Sequence, residues 1–161
     1  FLIKNNGNNI WVFFPRTRMI RKLPDHVKRQ RAQGSDFSFE DFSGSKNWKR
    51  DYNVKKEESG KRETYLLKFS RKENTETSYE SQRIYVDKLN YYPHSIQYFQ
   101  YGKHVKTLTF TNVIDIQGYP TAQTLIMKNH INKSQTKMRI LDMEYNLNFK
   151  DGFFNERILN R

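Results

Sequence analysis

The sequence contains no cysteine. Structural disulfides, thiolate metal sites and cysteine nucleophiles are thereby excluded, while the compartment stays open. Glycine and proline are also scarce, with 7 and 4 among 161 residues, which rules out collagen-like and low-complexity chains. Acidic side chains are the minority, 17 against 29 basic ones, for a net charge of +12. That imbalance favours anionic partners such as nucleic acid, an acidic protein or an anionic membrane surface. It is uneven: residues 1–62 carry 15 basic and 7 acidic side chains, the remainder 14 and 10. No apolar run approaches the roughly 20 residues of a membrane-spanning helix. No signal-peptide pattern is visible either. The chain opens on Phe1-Leu2-Ile3, which reads as the middle of a strand, so the natural N-terminus and any signal peptide are expected upstream.

What the chain does have is aromatic surface. Phe, Tyr and Trp make up 15% of a sequence that is otherwise polar, with 29% charged residues. This is a folding composition suited to strands with one wet and one dry face. The length fits a single domain with a real core.

Strand signals dominate. Residues 10–14 form a β-rich run stopped by Pro15, and residues 19–23 a shorter one stopped by Pro24. Further strands are predicted at 52–57, 64–70, 82–87, 95–101, 104–116, 121–130 and 136–149. The first two of these flank a Glu58-Ser59-Gly60-Lys61 turn. In the last, Leu141, Met143, Tyr145, Leu147 and Phe149 alternate with Asp142, Glu144, Asn146 and Asn148. Residues 25–34 read as an exposed basic loop. Ser35-Asp36, followed by Glu40 and Asp41, predicts a short helix over 36–42 ended by Gly44. Consecutive hairpins with one dry face predict a mainly β (α+β) fold, an antiparallel meander that curls into a barrel or half-barrel.

Catalytic signatures are lacking. His26, His94, His104 and His130 are scattered without metal-ligand spacing, and there is no phosphate loop or nucleophile elbow. No catalytic residue, metal or cofactor is expected. Asp36, Glu40 and Asp41 are explained by a helix N-terminus. The basic residues Arg16, Arg18, Arg21, Lys22, Lys28, Arg29 and Arg31 read first as a solvated loop, and second as a contact for headgroups or an anionic partner. Phe37, Phe39 and Phe42 cannot all face water cheaply. They either plug the open side of the sheet as core or form a lid over an apolar cavity.

Several motifs resemble a known family. The run Ile10-Trp11-Val12-Phe13-Phe14-Pro15 precedes Gly34-Ser35-Asp36-Phe37-Ser38-Phe39-Glu40-Asp41 at a spacing similar to that of the LolA-like outer-membrane lipoprotein-sorting proteins. Val86-Asp87 with Tyr92-Pro93, the stretch from Tyr98 to Gly102 with Lys106-Thr107-Leu108, Gly118-Tyr119-Pro120-Thr121, and Phe153-Phe154-Asn155-Glu156-Arg157 also resemble that family. The resemblance spans nearly the whole chain. It implies one LolA-like domain over residues 1–161, an open half-barrel around a short lid helix, exported to the periplasm. Two departures stand out: the family's N-terminal helix and early strands are absent here, and Ile84 and Tyr85 occupy the region of its usual Trp.

The expected function is therefore a non-enzymatic periplasmic carrier or chaperone for the acyl chains of lipoproteins or lipids. The expected cavity lining is Trp11, Phe13, Phe37, Phe39, Phe42, Leu141, Met143 and Tyr145. Arg16, Arg18, Arg21, Lys22, Arg29 and Arg31 are the expected headgroup or partner contacts. Implied partners are an inner-membrane transporter and, transiently, a membrane surface; a missing sheet edge invites swapping between chains. The rival readings are an interaction module of an envelope complex and, behind it, a basic nucleic-acid binder, which would bind with steep salt dependence. An enzyme ranks last.

Overall fold

The computed structural model describes residues 1–5, 8–42 and 48–160. Two compact units emerge, one of residues 1–47 with 146–161, the other of residues 48–145.

In the first unit, β1 (Leu2–Lys4), β2 (Asn9–Phe14) and β3 (Met19–Lys22) form a three-stranded antiparallel sheet in that order. Period-2 alternation sends Ile10 and Val12 to one face, each 1% exposed, and Trp11 and Phe13 to the other. Ile10 and Val12 join Leu23, Ala32 and Phe39 in a core that Ile3, Val27 and Phe42 complete. One helical turn, α1 (Asp25–Lys28), follows Pro24, whose fixed φ suits a helix start.

The helix predicted over 36–42 does not form. Ser38 bridges Arg31 in antiparallel fashion, and only residues 40–42 turn, as a 3-10 element. The reason is local competition for hydrogen bonds. Asp36 does not cap a helix: it is 1% exposed and faces the Arg31 guanidinium at 3.2 Å. Instead, Asp41 accepts the Ser38 N–H at 2.7 Å. The expected stop at Gly44 lies outside the described residues.

The second unit opens with α2 (Trp48–Asp51) and continues as a seven-stranded antiparallel meander. Its strands are β4 (Tyr52–Glu57), β5 (Thr64–Arg71), β6 (Ser81–Asp87), β7 (Pro93–Gln100), β8 (Lys103–Ile116), β9 (Tyr119–Asn129) and β10 (Ser134–Arg139). Each strand pairs with its neighbours in sequence, and the sheet stays open, with β4 and β10 as its edges. Turn chemistry sets the hairpins. Tyr101-Gly102 and Gln117-Gly118 both carry two successive positive φ values, as a two-residue hairpin loop of the favoured twist requires.

Register places Leu67, Ile84, Ile96, Leu108 and Met127 side by side across β5 to β9. Ile84, Ile96, Leu108 and Met127 are 1%, 5%, 6% and 0% exposed. One residue along, the opposite face carries Lys68, Arg83, Gln97, Thr107 and Lys128. The sheet thus has one mainly apolar face and one mainly polar, the latter also carrying Leu66 and Tyr85.

The predicted strand over 136–149 stops early. Ile140 donates the last ladder hydrogen bond, to the Gln123 carbonyl, and residues 140–150 have no regular structure. Beyond that point side chains replace a neighbouring strand. The Tyr145 N–H goes to Gln117 Oε1 at 2.7 Å, the Tyr145 hydroxyl meets that of Thr121 at 2.8 Å, and Asn146 turns left-handed at φ 59°. Alternation describes two faces, but a strand also needs a partner for its backbone.

Candidate functional site

An apolar pocket of about 510 Å³ lies over the β4–β6 end of the second unit's dry face. Tyr65 and Leu67 of β5 and Ile84 and Val86 of β6 form its floor. Lys56 of β4, the register partner of Leu67, stands at one side. Trp48 of α2 contributes a wall; its ring meets that of Phe69 edge-on at 5.0 Å. The other wall is Tyr91, from the connection between β6 and β7, and Pro93, the first residue of β7.

That connection is built by Asp87. Its carboxylate accepts the Leu89 N–H at 2.7 Å and the Asn90 N–H at 3.1 Å, while the Asp87 N–H donates to the Tyr92 carbonyl. The Asn90 and Leu89 amides, together with His94 at 3.3 Å, hold the Asp87 carboxyl below the usual aspartate range. Tyr91 takes φ 57° late in the connection, and its ring returns over the sheet and stacks on Tyr65. Tyr92 anchors the far side: its hydroxyl accepts the Ala122 N–H at 3.0 Å and its ring packs edge-on to Phe110. Leu89, at the tip, is 91% exposed.

Two lysines lie over the Tyr65 ring, and one of them, Lys56, also lines the pocket. Lys56 Nζ lies 4.1 Å from the Tyr65 ring centroid and Lys88 Nζ 5.3 Å from the same centroid. On the polar face, a Thr107 hydroxyl lies 2.9 Å from the Nε2 atoms of both His104 and His130. Burial first, then the charge of His130, pushes His104 below the ordinary histidine pKa. Among the described residues no cluster of three or more His, Asp or Glu could hold a metal.

None of the lining residues expected from the sequence borders this pocket. Phe37, Phe39 and Phe42 do come together, with Phe37 stacked on Phe42 at 5.5 Å and Phe39 in the first unit's core. Trp11 is half-buried between Lys4 and Lys22, whose ammonium groups lie 5.9 and 5.6 Å from its ring, and Phe13 pairs with Ile20 across β2 and β3. Leu141, expected to face inward on a strand, is 91% exposed because that strand has already ended; Met143 and Tyr145 are half-buried. Arg16, Arg18, Arg21, Lys22 and Arg29 are exposed. Arg31 is engaged locally, donating to the Ser35 and Gly34 carbonyls at 2.7 and 2.8 Å and pairing with Asp36.

The pocket residues escaped sequence reading because they come from α2, four strands and a loop. One signal was present: the Val86-Asp87 and Tyr92-Pro93 motif brackets the very connection that supplies Tyr91.

Solved structures share this architecture. A proposed outer-membrane lipoprotein-sorting protein domain from Vibrio parahaemolyticus is 24% identical, with a TM-score of 0.81 over 95% of this chain and 66% of that one. A DUF1329 family protein from Desulfovibrio piger is 22% identical, with a TM-score of 0.84 over 94% of this chain and 64% of that one. A LolA superfamily protein from Nitrosomonas europaea is 20% identical, with a TM-score of 0.64 over 95% of this chain and 69% of that one. The chain thus spans a little under two thirds of the first two. No curated protein matches the sequence. A family model described as "Uncharacterized protein"-like matches residues 1–161. By that full-length match the chain belongs to this family, and its fold is that of the LolA-like lipoprotein-sorting proteins.

Proposed function

We propose that the chain is a non-enzymatic carrier that binds acyl chains of lipoproteins or lipids. In this reading it acts in the periplasm, in traffic toward the outer membrane, and its acyl site is the pocket of the second unit. The observation that carries the reading is the apolar pocket of about 510 Å³ on the dry face. Ligand pockets run from about 300 to 1,000 Å³. Each buried methylene contributes about 0.8 kcal/mol, so a partly inserted chain offsets much of the cost of association. The LolA-like fold and the family match over residues 1–161 support treating the chain as one carrier domain. An inner-membrane transporter would load or unload it.

The test is a titration of the delipidated chain with a pyrene-labelled dodecanoic acid. Saturable binding is expected, and Leu67→Trp, which fills the pocket floor, is expected to abolish it while the denaturation midpoint stays near that of the parent. Absence of binding, or binding untouched by a folded Leu67→Trp variant, removes the reading.

A second reading rests on the exposed β2–β3 hairpin, where Arg16, Arg18, Arg21 and Lys22 cluster. It makes the chain an interaction module for an acidic partner. Mass spectrometry of extracts from the purified protein separates the two readings, since carriage requires co-purified lipid.

A further inference from the structure

We infer that the pocket selects amphiphiles with an anionic head, a carboxylate or a phosphate, over neutral acyl compounds. The inference rests on the carrier reading and specifies the ligand class of the same site. Two ammonium groups lie over one pocket-lining ring, Lys56 Nζ at 4.1 Å and Lys88 Nζ at 5.3 Å from the Tyr65 centroid, and Lys56 itself borders the pocket. They come from separate elements, β4 and the β6–β7 connection, so their meeting is a product of the fold.

Neither ammonium group pairs with a carboxylate among the described residues. The carboxylates of this region face other groups, Glu57 facing Lys68 at 3.7 Å, Glu63 facing Arg62 at 4.0 Å and Asp87 facing His94 at 3.3 Å. Lys88 donates to the Arg62 carbonyl at 2.7 Å, which steadies its stem and leaves two N–H donors. Directly beneath lies a floor of Leu67, Ile84 and Val86 with no charge of its own. An acyl chain on that floor would bring its head to the Tyr65–Tyr91 pair. There a carboxylate or phosphate meets two cations, while an ester meets them without compensating charge. Each ammonium group lies within cation–π range of the Tyr65 ring.

The experiment compares pyrene-dodecanoic acid, pyrene-dodecyl phosphate and the methyl ester of the acid on the delipidated full chain. The acid and the phosphate are expected to bind about tenfold more tightly than the ester, the ratio that one charge-assisted contact supports. Lys56→Gln with Lys88→Gln should shrink that ratio to about twofold, read as the ratio of acid to ester affinity within the same variant. The acid and phosphate arms show which anion fits better. Equal binding of all probes, or a preference that survives the double substitution, overturns the inference and leaves the carrier reading standing. Binding of none removes both.

Discussion

The ring of Tyr91 lies parallel to that of Tyr65, 6.5 Å between centroids and 8° between planes, although Tyr91 is 71% exposed. Tyr91 takes φ 57° within the short β6–β7 connection, which carries its ring back toward β5. The stack therefore depends on whatever holds the connection.

That is Asp87. Asp87→Ala removes the acceptor for the Leu89 and Asn90 amides and should free Tyr91 from Tyr65. Hydrogen exchange at Leu89 and Asn90 is expected to rise, with the β5 amides unaffected. The same carboxyl sets a pH dependence. Its folded pKa is depressed, so its contribution is present above the ordinary aspartate pKa of about 3.9 and is lost as pH falls through the folded value. The protection factors of these amides, taken relative to the intrinsic exchange rate at each pH, should fall below that range in the parent and stay flat in Asp87→Ala.

Met127 is 0% exposed and pairs with Leu108 across β8 and β9. Met127→Ala should cost about 2–5 kcal/mol, the range for truncating a buried aliphatic side chain without full collapse of the site. Denaturant unfolding followed by circular dichroism measures it. A loss under 1 kcal/mol, about the cost of a surface substitution, would show that the dry face is loosely packed there.

His104 shares the Thr107 hydroxyl with His130, and their rings are 4.3 Å apart. Burial and the neighbouring imidazole, with Arg83 adding to the effect, favour the neutral form, so the folded pKa lies below 6.5. The unfolded chain then binds the proton more readily. The contribution of this site is present above about pH 6.5 and declines as pH falls from there to the folded value. In a proton NMR titration His104 should half-protonate below 6.5, and His130→Gln should move it upward. A His104 midpoint above 6.5 would contradict this arrangement.

Much of the fold was legible in the chain. Tyr65, Leu67 and Phe69 alternate, the Ser59-Gly60 turn follows β4, and Gln117-Gly118 closes β8 onto β9. Strand pairing between neighbours in sequence is a local matter, so local signals suffice for it. Two expectations failed for one reason. Asp36 had the composition of a cap, and residues 141–149 the alternation of a strand, but each found a different hydrogen-bond partner: Arg31 for Asp36, Gln117 for Tyr145. Propensity ranks local options, and tertiary partners decide among them.

The sequence by itself determined the meander, its dry and wet faces, the basic balance and the absence of thiol chemistry. Periodicity, turn residues and composition are properties of the chain before it folds. Only the tertiary structure decided where the dry face stays uncovered and what guards it. Trp48, Lys56, Tyr65 and Tyr91 are separated in sequence, and it is strand register, with the Asp87-held connection, that brings them to one pocket.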